Sequence, residues 1–411
     1  MFNPNRSKNI DGWWDQFPLQ LQLITKIRFL ASLGAGGVIY LTSLIFNSIG
    51  LSATEIGLGF TISAIIGTVT RAIAGDYLNK ENNITLLLRI SSLFSIIASL
   101  IFIFSNTKIN YLIGQSFIGA AAGIYWPSVE FAVPNFCHPI NRREAYALVR
   151  SSEALGILLG VFYGSILSLV FYIKFVYIID LICMILIIDL IADNKRNLEI
   201  NIIKSNKNNN STNIRLNNKW NKNSGLIITA IILITTCLAL IQVTLPLDFV
   251  LGGIKRSPIT DNLASYLISL QLIFLLIIQW PIGKWISKKG RLYGLKLSLF
   301  SFGISSLLLF SSSYFKEGGI FLMLIAIFFC SIATSSFLPS STDIVFQIAP
   351  LSKKGSAFAL LSQCFAMGYF LGPFISGSVL DYFGNASIIW FFISISCLFM
   401  IFIIGIKKIL I

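Results

Sequence analysis

Runs of about 20 apolar residues recur along the whole chain, and this feature decides what it can fold into. A helix rises 1.5 Å per residue, so a run of that length crosses a hydrocarbon core roughly 30 Å thick. Inside such a core every backbone polar group needs an internal partner, which a helix supplies. Only 12% of the 411 residues are charged and 55% are hydrophobic, whereas soluble domains carry about 25% charged residues. The expected fold is an all-α polytopic membrane protein. Helices are predicted at 22–47, 55–78, 84–105, 109–133, 145–169, 171–192, 225–250, 261–286, 292–313, 319–348, 354–381 and 385–406.

The net charge of +14 could suggest a nucleic-acid partner, but its placement points elsewhere. With a cytoplasmic N-terminus, only Lys108, Lys174, Lys255, Arg256 and Lys316 fall outside cytoplasmic segments or cytoplasmic helix ends, leaving 26 of the 31 Lys and Arg inside. That asymmetry sets orientation in a membrane. It predicts a protein of the cytoplasmic (inner) membrane with both termini cytoplasmic. Nucleic acid is not an expected partner; membrane lipids are.

Five of the six cysteines, Cys183, Cys237, Cys330, Cys364 and Cys397, lie within apolar runs, and Cys137 sits in a loop. None makes a metal-like pair. His138 is the only histidine. No metal, cofactor or catalytic residue set is expected, and an enzyme is disfavoured. Residues 1–21 lack the apolar core and cleavage site of a signal peptide. They are read as a cytoplasmic or interfacial segment, with Trp13 and Trp14 at the membrane surface.

Residues 193–224 form the one long polar segment, rich in Asn and Lys, and read as a flexible cytoplasmic linker. It separates a six-helix bundle at 22–192 from a second at 225–411. Repeats across it follow. Pro127 and Pro339, Gly156 and Gly368, and Gly160 and Gly372 are each 212 residues apart, and "YALV" at 146 answers "FALL" at 358. Two short basic gaps also correspond. "RAIAGDYLNKENN" (71–83) carries Gly75, Asn79 and Lys80; "QWPIGKWISKKGR" (279–291) carries Gly283, Ser287, Lys288, Gly290 and Arg291. Each joins the second helix of its half to the third.

With these gaps and duplicated halves, the chain resembles the major facilitator superfamily over nearly its full length. That family carries GxxxDRxGRR in the same two loops; here Asn79 and Ser287 stand where it has aspartate. The resemblance implies two pseudo-symmetric six-helix bundles and secondary transport of a small solute by alternating access. It also implies that these loops brace the halves in one conformation, their glycines letting helix ends abut and turn. Export coupled to protons by a monomer is the favoured expectation. The alternatives are an uptake permease and a transporter-like sensor or scaffold that moves nothing. A fixed channel suits duplicated, rocking halves less well.

Helical periodicity aligns Arg28, Ser32, Gly36, Ile39 and Ser43 on one face of the first helix. Gln115, Gly119, Ala122, Trp126 and Glu130 align on the fourth, Thr235, Ala239, Gln242 and Pro246 on the seventh, and Ser331, Thr334, Ser335 and Thr342 on the tenth. In the family these four helices line the central cavity. The expected substrate cavity is therefore Arg28, Ser32, Gln115, Trp126, Thr235, Gln242, Ser331 and Thr334. Small and weakly polar residues also serve helix packing in lipid, a role open to the serines and threonines.

The fifth helix spaces Gly156, Gly160 and Gly164 by four, a close-packing ridge, and places Arg150 three residues before Glu153. A charge at that depth costs about 2–3 kcal/mol on insertion scales, which makes Glu153 a candidate for proton coupling, with Arg150 as its partner. A static brace with Arg150, Arg71 or Arg89 is the alternative. Asp180, near the middle of the sixth helix, is the rival proton site. Glu130 and Asp343, near cytoplasmic ends, read as gate salt bridges. The "GYFLGPFISG" of the eleventh helix resembles a Gly-Pro antiporter motif that the family carries in the fifth.

Overall fold

The computed structural model describes residues 13–81, 83–140, 142–170, 174–194, 198, 224–289, 291–348 and 354–406. The described residues form twelve long helices and no strand: α1 Leu19–Ser48, α2 Ala53–Glu81, α3 Ile84–Phe104, α4 Lys108–Phe136, α5 Arg142–Val170, α6 Phe175–Asp193, α7 Ser224–Leu251, α8 Asp261–Lys289, α9 Arg291–Ser312, α10 Gly319–Ile348, α11 Lys354–Phe383 and α12 Ser387–Ile406. Most run a few residues beyond the apolar stretches that predict them, because backbone hydrogen bonding continues into the polar flanks. A 3₁₀ turn at Trp13–Gln16 precedes α1. Gln22 pins it by donating to the carbonyls of Trp14 (3.0 Å) and Phe17 (2.9 Å). Most of the polar segment between α6 and α7 lies outside the described residues.

Local sequence sets the helix ends. Asn83 and Thr107 cap α3 and α4, accepting from the amides of Leu86 and Asn110. Gly50, Gly252 and Gly384 follow α1, α7 and α11 with φ of 101°, 85° and 69°, left-handed positions that end a helix at little cost only for glycine.

Ten of the helices are long and apolar enough to span a membrane by composition, among the described residues; α4 and α5 are not in that set. Large apolar side chains such as Ile73, Phe104, Phe321, Phe392 and Phe402 stand exposed on the outer faces. A soluble monomer does not tolerate so much apolar surface. This is a multi-pass membrane protein.

Helices α1–α6 form one half and α7–α12 the other, packed by matching devices. A side chain at Gly156 or Gly160 would collide with the α1 backbone at Phe29 and Leu33, so α5 lies directly on α1. Gly368 does the same for α11 against α7, where a Cβ would fall 2.6 Å from the Thr235 carbonyl carbon. The predicted repeat is thus a repeat of close helix approaches. Across the middle, α2 packs on α11, α5 on α8 and α1 on α7.

Among the described residues, the polar contacts between halves gather at the end away from the chain termini, the far end. Asp381 of α11 accepts from the Ala53 (2.9 Å) and Thr54 (2.8 Å) amides at the start of α2. Thr61 donates to the Phe370 carbonyl at 2.9 Å. Ser165 and Ser269 hydrogen-bond at 3.2 Å between α5 and α8. Gly57 and Gly377 leave room for backbone to meet backbone across the same seam. Nearest the terminal end is Arg71, donating to the Ser362 carbonyl at 3.3 Å.

The basic gaps differ from expectation. α2 continues past Gly75 to Glu81 and α8 past Gly283 to Lys289, so neither glycine turns the chain. A Cβ at either would meet nothing within 4 Å, so no helix end abuts them in this conformation. The side chains of Asn79, Lys80, Ser287, Lys288 and Arg291, and all of Gly290, lie outside the described residues, as does the Asp343 side chain.

Candidate functional site

Two arginines, two glutamates and two aromatic rings converge where α1, α4 and α5 meet. Arg28 of α1 is 1% exposed and pairs with Glu153 of α5 at 2.7 Å. Arg150 binds the same Glu153 oxygen at 3.0 Å and Glu130 of α4 at 2.7 Å. Trp126 lies between the guanidiniums, 3.9 Å from Arg28 and 5.5 Å from Arg150 to the ring centroid, and Tyr125 flanks Arg28 at 5.4 Å. The cluster grades from buried Arg28 through Glu153, 13% exposed, to the open Arg150 and Glu130 at 46% and 37%. Two of its helices, α1 and α5, also touch the second half.

Charges in a membrane interior need partners, and a desolvated cation gains about 2 kcal/mol over an indole face. Arg28 has Glu153, Trp126 and the nearby Tyr125 hydroxyl, yet its Nε and Nη1 make no hydrogen bond of ordinary geometry. The brace expected between Arg150 and Glu153 is present. Arg28 is the partner that spacing could not reveal, 125 positions away in the chain. Arg71 instead bonds the Ser362 carbonyl.

A second polar group joins the halves deeper toward the far end. Gln242 of α7 donates to the Tyr40 hydroxyl of α1 at 3.4 Å and accepts a short hydrogen bond from Tyr369 of α11. The sequence reading named Gln242 but neither tyrosine. Tyr40 is next to Ile39 of the α1 stripe, the one signal that could have pointed to it.

The remaining candidates sit in helix seams. The Ser32 side chain packs beside Gly156, between α1 and α5. Gln115 donates to the Tyr111 hydroxyl at 3.4 Å, and Tyr111 reaches the Ile56 carbonyl of α2 at 2.7 Å. Thr235 donates to the Cys364 carbonyl of α11 (2.8 Å), Ser331 to the Gln271 carbonyl of α8 (2.8 Å), and Thr334 to Cys330 of its own helix (2.9 Å). Asp180 is 1% exposed inside the first half. Its Oδ2 accepts from Ser95 (2.9 Å) and Ser99 (2.6 Å), while Oδ1 presses on Gly34 without a donor.

Two acidic residues outside the expected set are structural. Asp248 and Arg256, each 1% exposed, pair at 3.1 Å where α7 meets the following loop. Arg256 also donates to Ser312 (2.6 Å), and Trp390 to Asp248 (3.3 Å). The sequence signal was Arg256 itself, one of five cations off the inside pattern. The other acid is Asp381, described above.

The chain matches the Major Facilitator Superfamily over residues 27–253 and again over 227–408, and it belongs to that family. An uncharacterized MFS-type transporter of Methanocaldococcus jannaschii is 23% identical over 362 residues, 87% of this chain and 90% of that protein. Among solved structures, the nucleoside transporter NupG superposes with a TM-score of 0.74 at 14% identity, covering 96% of this chain and 100% of that one. A peptide transporter POT in complex with alafosfalin gives 0.78 at 12% identity, covering 95% of each. A POT family transporter in complex with 5-aminolevulinic acid gives 0.78 at 11%, covering 96% and 97%. The protein is an MFS-type transporter and not an enzyme.

Proposed function

We propose that the chain is a secondary active transporter of the cytoplasmic membrane, coupled to protons through Glu153 and working by alternating access. Both termini are cytoplasmic, the halves at 22–192 and 225–411 rock against each other, and one copy suffices. The carrying observation is the Glu153 carboxylate held between Arg28 and Arg150, on helices that face the second half. The far-end seam closes one side of the interior to solute.

Glu153 is stable as an anion while two guanidiniums hold it. Each charge-assisted bond contributes about 1.5–3 kcal/mol. A movement of α1 against α5 that parts it from Arg28 leaves a buried carboxylate short of partners, costly as an anion and cheap as an acid. A proton then enters on one side and leaves on the other. Asp180 has serine donors but no cation, and its helix α6 packs inside the first half, so it is the weaker proton site.

The charge balance bears on direction. Arg28, Arg150, Glu130 and Glu153 sum to zero. Protonating Glu153 leaves one net positive charge and frees guanidinium donors, so proton and solute bind together. That favours uptake, in place of the export expected from family resemblance. Nucleosides and peptides, carried by structural neighbours, indicate the size of solute the fold accommodates.

The test is accessibility from two sides. Single cysteines at Thr54 (far end) and Asp76 (near end), in a background with the six native cysteines replaced, should label in opposition as a transported solute is added. Reporter fusions at residues 210 and 411 should read cytoplasmic. Parallel labelling, or one outward-facing fusion, would overturn the reading.

A further inference from the structure

We infer that the substrate class is an amphipathic organic anion, whose anionic group takes the place of Glu153 on Arg28 and Arg150. This rests on the transport reading and adds the chemistry of the solute. The deciding feature is an imbalance of donors. A guanidinium has five N–H groups. Arg28 is 1% exposed, yet it meets one carboxylate oxygen, and its Nε and Nη1 make no hydrogen bond of ordinary geometry, with the Tyr125 hydroxyl the other oxygen nearby. Buried donors without acceptors are rare, because each costs about 1–3 kcal/mol. An incoming carboxylate satisfies them with the fork geometry that guanidinium favours.

A cation would find less. The carboxylates are already engaged: Glu153 by two guanidiniums and Glu130 by Arg150. The groups around Glu153 are Arg28 and Tyr40 on α1, Tyr125, Trp126 and Glu130 on α4, and Arg150 on its own helix. Among the described residues, no ion pair or hydrogen bond joins it to α6 or α8. Deeper in, the rings of Tyr40 and Tyr369 offer apolar faces beside Gln242. With Glu153 protonated the arginine cluster carries one net positive charge beside the Trp126 and Tyr125 rings, which suits a carboxylate with an apolar body.

The exchange balances. A proton from water bonds to a Glu153 oxygen, and the neutral acid releases the guanidiniums. The substrate carboxylate then takes the freed donors without reacting further. One proton enters per anion bound.

The experiment is a thermal-shift titration of the purified full-length protein with matched sets: benzoate, octanoate and indole-3-acetate against their amides and amines. Ligand binding to the folded state raises the melting temperature. At least one anion should do so, and neither its amide nor its amine. Its affinity should rise about tenfold per unit of pH lowered, the signature of one linked proton. Glu153→Gln should bind that anion about tenfold or more tightly at neutral pH and lose the pH dependence, since the competing charge is gone. Arg150→Gln, at the exposed side of the cluster, should weaken it. Arg28→Lys should weaken it too, keeping the charge but losing the fork.

Preferential stabilisation by amines or amides, or by no anion up to millimolar concentration, overturns the inference. So does tighter anion binding in Arg150→Gln. Selective anion binding without movement into liposomes would keep this inference and sink the transport reading. Transport of amines would do the reverse.

Discussion

Equivalent positions in the two halves carry different chemistry. Adding 212 to Trp126, Glu130, Arg150 and Glu153 gives Leu338, Thr342, Ser362 and Phe365. The same shift carries Gly156 and Gly160 to Gly368 and Gly372, which pack α11 on α7 as the first pair packs α5 on α1. The halves share the residues that set helix spacing, and the second has none of the four charges of this network. Gly156, Gly160 and Gly368 are fixed by sterics, since any side chain there collides with backbone, while Gly372 sits tightly against the Thr236 methyl. Charges are costly in a membrane interior and persist where partners exist. The first half holds a four-charge network, and the second answers with tyrosine, glutamine and small hydroxyls. The four-charge network belongs to the first half; the buried ion pair of the second, Asp248 with Arg256, lies apart from it, where α7 meets the following loop.

The comparison is most exposed at Arg28. Arg28→Ala should destabilise the protein by about 3–5 kcal/mol, because it strands Glu153 and a tryptophan face. Arg28→Met combined with Glu153→Leu should recover most of that loss and still not transport. Thermal unfolding in detergent measures both. A cost for Arg28→Ala no larger than that of a second-half hydroxyl would break the contrast.

Smaller effects sharpen it. Asp381→Ala removes the cap of α2 and a link between halves, for a cost of about 1 kcal/mol. Its distinguishing effect should be faster labelling of a far-end cysteine at Thr54, and unchanged labelling would show that the seam does not gate. Thr235→Val in the second half loses a hydrogen bond to Cys364, worth about 1 kcal/mol, with solute affinity unaltered. Altered affinity would place Thr235 in the solute path. Asn79→Asp with Ser287→Asp should shift the conformational balance by a few tenths of a kcal/mol, lowering near-end accessibility. No change would mean the loops do not set the balance.

Much of the fold was legible because its determinants are local. Apolar runs counted the helices, and repeated glycines located the close approaches. Within the cluster, Arg150 and Glu153 were legible for the same reason, lying one helical turn apart. The Arg28 pairing was not, since it depends on how α1 meets α5. Nor was Asp381, which caps a helix 328 residues earlier in the chain. Ser32, Thr235 and Ser331 show the limit of helical periodicity. It gives the face a residue shares with its neighbours, while the packing of other helices decides what that face meets.

The central claim is that Glu153 carries the coupling proton. It is tested most directly in proteoliposomes, using the anion that most raises the melting temperature and an inward-directed proton gradient. The wild type should accumulate the anion above its equilibrium level and alkalinise a weakly buffered exterior as it does so. Glu153→Gln should exchange the anion across the membrane in both directions and accumulate none, with no proton movement. If Glu153→Gln still concentrates the anion under a proton gradient, Glu153 is a structural brace, and proton coupling lies elsewhere, with Asp180 the next carboxylate to test.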